Sequence, residues 1–104
     1  MIRSIHAFVA VSALLLTATS TADQAIAQAN GCTACHQVDV KLVGPAYKEV
    51  AARYRGEAGA REMLIDKVRK GGMGVWGQIP MPPNSTISDA DLAAVIDWVL
   101  ANGQ

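Results

Sequence analysis

The sequence predicts a small all-α domain of about four short helices. Four segments place apolar residues at helical spacing, and no segment has the sustained alternation of apolar and polar residues that is typical of a half-buried strand. Serine or glycine stands at the expected ends of several of these segments. At 104 residues, 51% of them hydrophobic, the chain has room for one domain.

The first 22 residues are predicted to be a secretory signal peptide. Arg3 gives a positive start, residues 7–16 form an uncharged apolar run, and small residues follow up to Ala22. The run is shorter than the roughly 20 residues that cross a bilayer, so we expect export to the periplasm and no stable membrane insertion. Cleavage after Ala22 is preferred to cleavage after Ala27, which leaves too little chain for an N-terminal helix. The mature domain is then 23–104.

The first two helices follow from the next residues. Residues 23–30 are rich in Ala and Gln and are followed by Gly31, a residue suited to a left-handed helix end. Pro45 is expected to begin the second helix, because proline is well placed at a first helical position. Its apolar face ends before Gly56 and comprises Tyr47, Val50, Ala51 and Tyr54.

Two further helices complete the fold. The third is expected from about 58 to 70, where Gly71 and Gly72 stop it. The fourth follows Ser88, which forms a variant capping box with Asp91, and runs to about Ala101. Its apolar stripe is continuous: Leu92, Val95, Ile96, Val99 and Leu100. Residues 37–44 and 71–87 remain as loops, and the second is long enough to indicate a functional segment.

The charge pattern does not indicate a nucleic-acid partner, and none is expected. Removing residues 1–22 takes away Arg3, so eight basic residues stand against nine acidic ones and the mature net charge is minus one, with no basic block.

A domain of about 80 residues commonly needs a disulfide, a metal or another covalent support. The two cysteines lie three positions apart, and a bridge closing so short a loop stabilises little.

Cys32-Thr33-Ala34-Cys35-His36 has the spacing of c-type haem attachment. Two thiols three positions apart lie on one side of a helical turn, where they meet the two vinyl groups of one haem, and the adjacent imidazole reaches the iron. A redox-active disulfide is the competing interpretation, but it lacks a βαβ context. A closed zinc site needs four Cys or His ligands, and the mature chain has three.

Methionine is the natural sixth ligand, because His6 leaves with the signal peptide. Met63 is expected in the core, and Met73 lies between glycines that would position a ligand poorly. Met81 lies among Pro80, Pro82 and Pro83, whose fixed φ angles hold the backbone extended. We therefore predict His36 and Met81 as the axial ligands.

A His and Met pair favours electron transfer over catalysis. The neutral thioether stabilises ferrous iron, and an iron with six ligands has no open position for a substrate. The prediction is an electron-transfer protein and not an enzyme. The alternative is a catalytic or ligand-sensing haem protein in which the methionine ligand is labile.

Three motifs in order resemble the class I c-type cytochromes, specifically the small bacterial cytochrome c-551 family. They are Gly31-Cys32-x-x-Cys35-His36, then Val43-Gly44-Pro45-Ala46-Tyr47-Lys48, then Gly74-Val75-Trp76-Gly77-x-Ile79-Pro80-Met81-Pro82-Pro83-Asn84. The resemblance covers nearly all of the mature chain. It implies a class I cytochrome c fold around one covalently bound haem c, with the first and last helices crossing and the Met81 loop closing one haem face.

The resemblance also implies roles around the haem. The Pro45 carbonyl is expected to accept the His36 Nδ1 hydrogen. Trp76 resembles an indole that donates to a haem propionate, Lys67 stands where some relatives place an arginine near the same group, and Asn84 resembles a side chain that orients the methionine sulfur. The alternatives are that Trp76 simply covers the haem, that Lys67 is solvated and that Asn84 is a turn residue. The chain departs from relatives at Ile26 and Ala27, where an aromatic ring is common, and Trp98 is expected to fill that space.

The function that the resemblance implies is a soluble periplasmic one-electron carrier of a respiratory chain. Its partners are expected to be larger redox proteins that dock transiently on the monomer. The expected docking surface is an apolar rim that consists of Val43, Pro45, Ile79 and Pro82. A few lysines are expected around this rim.

Overall fold

The computed structural model describes residues 7, 9–12 and 22–102. The described chain is helical and has no β-strand: α1 (Ala22–Ala29), a 3-10 turn (Cys32–Ala34), α2 (Tyr47–Tyr54), α3 (Ala60–Lys70) and α4 (Asp89–Ala101). None of the helices in these residues has the length and apolar character needed to span a bilayer. Most of the predicted signal peptide lies outside the described residues.

The first helix ends as its sequence predicts. Gly31 adopts a left-handed φ of 79°, and the Asn30 side chain donates to the Ile26 carbonyl at 2.9 Å. These contacts close the C-terminal turn of α1 and direct the chain into the 3-10 turn that carries the cysteines. The sequence did not predict this short turn as a separate element.

The second helix begins later than predicted. Its first residue is Tyr47 and its N-cap is Ala46, whose backbone N–H donates to the Glu49 carboxylate at 3.2 Å. The prediction that Pro45 begins the helix is therefore wrong. Pro45 is buried in the preceding loop, where its carbonyl has a partner outside the helix.

The last helix supplies the centre of the core. Ser88 Oγ accepts from the Asp91 N–H at 3.1 Å, as predicted for an N-cap. The buried face of α4 consists of Leu92, Val95, Ile96 and Val99. It packs against α1, α2 and α3, with Ala27 of α1 fully buried in the same core. Burial of this stripe fixes where the two long loops leave the helices.

The contact between the first and last helices forms without an aromatic ring on α1. Ala27 is fully buried, and Ile26 packs against the same core. Trp98 meets Tyr47 of α2 edge-on, with ring centroids 5.1 Å apart. The Trp98 ring thus joins α4 to the helix that follows the Pro45 loop.

Candidate haem-binding site

A cavity of about 300 Å³ lies between the helices and the two long loops. Its volume is at the lower end of the range for small-molecule and cofactor sites, about 300–1,000 Å³. Most lining residues are apolar, but the chemistry-bearing ones include Cys32, Cys35, His36 and Met81. Residues that are 49 positions apart in the chain thus meet at one cavity.

The 3-10 turn presents both cysteines to this cavity. Cys35 N–H and His36 N–H donate to the Cys32 carbonyl at 3.2 and 3.0 Å, which closes the turn around its first residue. Both cysteines are free thiols and half-buried. Both thiols line the cavity, so both can form thioether bonds to a group that is bound there.

Three contacts fix the His36 imidazole. Its Nδ1 lies 2.8 Å from the Pro45 carbonyl oxygen, and its ring stacks on Tyr47 with centroids 5.4 Å apart and planes 20° apart. A Cβ added to Gly44 would lie 2.5 Å from His36 Cε1, so only glycine fits there. Because a carbonyl can only accept, Nδ1 carries the hydrogen and the Nε2 lone pair is free to bind a metal.

Met81 lies in a segment held by backbone contacts as well as by prolines. Its N–H donates to the Gly72 carbonyl at 2.8 Å, and the Gly72 N–H donates to the Met81 carbonyl at 3.0 Å. Gly71 packs so closely on this segment that an added Cβ would lie 2.8 Å from Pro83 N and would also clash with the Met81 carbonyl. Gly72 and Met81 therefore form an isolated antiparallel bridge across the 71–87 loop, which the sequence did not predict.

The other two mature methionines have different surroundings. Met63 lines the cavity and is 40% exposed, so the expectation that it belongs to the core is wrong. The apolar face of α3 that is buried in the core consists of Ala60 and Leu64, and Met63 lies beside it. Met73 also lines the cavity but is 60% exposed, between two glycines with positive φ.

Trp76 and Lys67 both line the cavity. The Arg53 guanidinium lies 5.5 Å from the Trp76 ring centroid and 5.7 Å from that of Tyr54, so it joins α2 to the middle of the 71–87 loop. The Lys67 side chain covers Gly72, where an added Cβ would lie 2.7 Å from Nζ. The contact of these two side chains with a haem propionate stays a prediction.

Asn84 occupies a turn and is not among the residues that line the cavity. Its Oδ1 accepts from Thr86 N–H at 3.1 Å and Ile87 N–H at 3.2 Å, and its Nδ2 donates to the Asn30 carbonyl at 3.4 Å. This structure gives Asn84 the turn role, and its action on the methionine sulfur stays a prediction.

Burial keeps the part of the cavity wall formed by Cys32 and Tyr47 uncharged. It raises the pKa of the Cys32 thiol above its ordinary value, against a smaller opposing effect of a backbone hydrogen bond. It also raises the pKa of the Tyr47 phenol, and the neighbouring Cys32 adds to that effect. Both groups are protonated at neutral pH, so this wall suits an apolar group better than an ion.

The residues present fit a covalently attached haem. Two half-buried thiols and an imidazole with a free Nε2 line one apolar cavity, and a thioether lines it as well. The Tyr47 hydroxyl is buried without a hydrogen-bond partner among the described residues. Zinc fits poorly, because no three His, Cys, Asp or Glu side chains among the residues that the structure describes form a metal-binding group.

Sequence reasoning missed several residues that shape this site. Gly44 and Tyr47 stand within a motif that it quoted, but the closeness of both to the His36 ring was not foreseen. Arg53 contacts Trp76 in the 71–87 loop, and Gly71 packs against Met81 and Pro83 in the same loop. The run of glycines before Trp76 was the available signal that the backbone passes close to another segment there.

Comparison with known proteins identifies the family. The cytochrome c family model matches residues 22–102. Cytochrome c-551 of Allochromatium vinosum is 50% identical over 91 residues, which are 88% of this chain and 97% of that protein. Cytochrome c-552 of Nitrosomonas europaea is 52% identical over 88% of each chain.

A solved structure extends the match to the fold. The crystal structure of wild-type Nitrosomonas europaea cytochrome c552 has a TM-score of 0.74 and 51% identity, over 76% of this chain and 98% of that one. The predicted class I cytochrome c fold is therefore confirmed. With two cysteines in the attachment spacing at the cavity wall, the chain belongs to the cytochrome c family as a small c-type electron carrier that binds one haem c through Cys32 and Cys35.

Proposed function

We propose that this chain is exported to the periplasm and carries single electrons between redox proteins of a respiratory chain, with His36 and Met81 as axial ligands. The observation that carries the proposal is the shared cavity, which both cysteines, the His36 imidazole and Met81 line together. When bound there, the haem supplies one-electron chemistry at an iron that is either ferrous or ferric.

The protein side of that chemistry is the fixed position of its ligands. The 2.8 Å contact between His36 Nδ1 and the Pro45 carbonyl sets the tautomer and makes Nε2 a stronger electron donor. The Met81 thioether is neutral and favours the reduced state, so the pair raises the potential relative to two nitrogen ligands. With both ligands in place, no position is open for a substrate.

Rigid surroundings on both sides also suit electron transfer. The His36 ring cannot tilt toward Gly44 or away from Tyr47 without losing a contact. Paired hydrogen bonds to Gly72 hold the Met81 backbone. The same positions are therefore kept in both oxidation states, which limits the rearrangement that accompanies each transfer.

The surface around the cavity supports transient docking. Val43 is 46% exposed and Ile79 is 65% exposed, and Pro82 is exposed as well. Pro45 is buried, so its expected place in the docking surface is wrong: the residue turns inward to meet His36. We propose that the monomer presents the remaining apolar rim to larger redox partners.

Two methionine variants test the ligand assignment. Met81→Ala should lower the potential and open the iron to carbon monoxide, because the thioether that favours ferrous iron is lost. Met73→Ala is the matched control, since Met73 lines the same cavity but lies between two glycines with positive φ and not among prolines. An unchanged potential and spectrum in Met81→Ala, or rapid carbon monoxide binding by the wild type, would contradict the proposal and favour a haem protein with a labile ligand.

Export and attachment are tested on the purified wild-type protein. N-terminal sequencing of a periplasmic fraction should begin at Asp23, and the intact mass should exceed that of the polypeptide by one haem. The absorbance spectrum should survive acid-acetone extraction, because thioether bonds are not broken by it. A colourless protein with the polypeptide mass would instead support a thiol oxidoreductase.

A further inference from the structure

Arg69 joins the last turn of α3 to the end of the Met81 loop. Its guanidinium donates to the Ile87 carbonyl at 2.5 Å, to the Asp89 carboxylate at 2.6 Å and to the Asn84 carbonyl at 3.4 Å. The Arg69 side chain is 26% exposed, whereas that of Asp89 is 99% exposed. The contacts with the two loop carbonyls are therefore the better shielded ones.

These contacts fix the position of Asn84. Its own N–H donates to the Val68 carbonyl at 2.9 Å, so two adjacent residues in the last turn of α3 hold it. Ile87 is also fixed, because its side chain is buried in the core. The loop thus leaves α3 at Gly71 and returns to the same helix end through Arg69.

The link from Asn84 back to Met81 is short and stiff. Only Pro82 and Pro83 lie between them, and each proline ring fixes its φ angle. The residue before a proline is restricted to extended backbone as well, which applies to Met81 itself. A displacement at Asn84 is therefore transmitted to Met81 with little opportunity for the intervening backbone to absorb it.

We propose that Arg69 is a positioning residue for the Met81 thioether. It acts through the Asn84 and Ile87 carbonyls and does not touch the haem cavity. This inference rests on the proposed function, in which Met81 is the sixth ligand. Arginine is suited to the role because its planar fork donates to several acceptors at once, and bonds from a charged donor are stronger than neutral ones.

The test compares two arginines of the same helix in the haem-loaded protein. Arg69→Gln removes the loop contacts, and Arg61→Gln removes an ion pair with Asp97 of α4 that lies away from the loop. The readouts are the sulfur-to-iron absorbance band of the ferric protein and its rate of cyanide binding. Cyanide binds only when Met81 leaves, so the rate reports how often the position opens.

We expect Arg69→Gln to bind cyanide about tenfold faster than the wild type, which corresponds to about 1.4 kcal/mol in the opening equilibrium. Arg61→Gln should bind it at the wild-type rate, even if both variants unfold at a lower temperature. Asp89→Asn should also leave the rate unchanged, because an exposed ion pair contributes little. Arg69→Lys should fall between Arg69→Gln and the wild type, since an ammonium cannot span the same acceptors.

The outcomes separate this inference from the ligand assignment. A rate in Arg69→Gln within twofold of the wild type, together with a faster rate in Met81→Ala, overturns the role of Arg69 and leaves the assignment of Met81 in place. If Met81→Ala alters neither readout, the assignment itself is wrong. If Arg69→Gln yields no haem-loaded protein, Arg69→Lys decides, and a wild-type rate there overturns the inference.

Discussion

Replacing Gly44 with alanine adds one methyl group directly against the His36 ring. The new Cβ would lie 2.5 Å from Cε1, 2.9 Å from Nδ1 and 3.1 Å from Nε2. Gly44 has no left-handed φ, so the substitution strains no backbone angle and its effect comes from this contact alone. Tyr47 covers the ring by stacking, and the imidazole cannot retreat without giving up its bond to Pro45.

The magnitude follows from those two losses. Overpacking a filled site costs about 1–3 kcal/mol, and a lost hydrogen bond costs about 1 kcal/mol. Together they lower the free energy of unfolding by about 2–4 kcal/mol, which shifts the melting temperature of a domain this size by roughly 10–30 °C. Loss of the Pro45 bond also makes the imidazole a weaker donor to ferric iron, so the potential should rise.

Thermal unfolding and potentiometry of the haem-loaded protein measure both effects. Gly59→Ala is the matched control: Gly59 has φ 79° and nothing within 4 Å of an added Cβ. It should cost about 1–2 kcal/mol through backbone strain and leave the potential unchanged. The steric reasoning is refuted if Gly44→Ala melts with the wild type or shifts the potential no more than Gly59→Ala does.

Three further substitutions test other parts of the structure. Leu92→Ala should lower the free energy of unfolding by about 2–5 kcal/mol in denaturant titration, because Leu92 is 1% exposed at the centre of the core, while Leu42→Ala at 45% exposure should have a small effect. Ser88→Ala should cost about 1 kcal/mol by removing the Oγ bond to the Asp91 N–H, and Ser88→Asp should restore it. Gly71→Ala, at φ 70° and against the Met81 carbonyl, should both destabilise the protein and speed cyanide binding, and a normal cyanide rate would contradict the packing of Gly71 on that loop.

The helices could be predicted because their signals are local. The spacing of apolar residues located α4. Ser88 lies just before α4 and Gly71 just after α3, and both helix ends are within one or two residues of the predicted positions. Pro45 was misplaced because its φ suits a first helical position. Its carbonyl is instead the acceptor for His36, nine residues earlier, and the residues immediately around Pro45 do not indicate that contact.

In the candidate site too, a local pattern predicts some residues, whereas others depend on contacts between separate segments. The cysteines and His36 were predictable because five adjacent residues contain the whole attachment pattern. Met63 was misassigned because helical spacing does not distinguish a residue facing the core from one facing a cavity in that core. The contacts of Arg69 depend on how α3 meets the end of the 71–87 loop, and no pattern within either segment encodes that meeting.

The two sides of the cavity are therefore held by contacts of different range. Gly44, Pro45 and Tyr47 all contact His36 from within eleven positions of it, in the stretch that follows the cysteines. The Gly72 contact with Met81 spans nine positions, but the Arg69 contacts that act on Met81 through two prolines span 15 and 18 positions. Contacts between distant segments are lost together when a loop opens locally, whereas the His36 contacts persist as long as one short segment stays folded. We therefore expect the methionine side to open first, and we expect Arg69 to control how readily it does so.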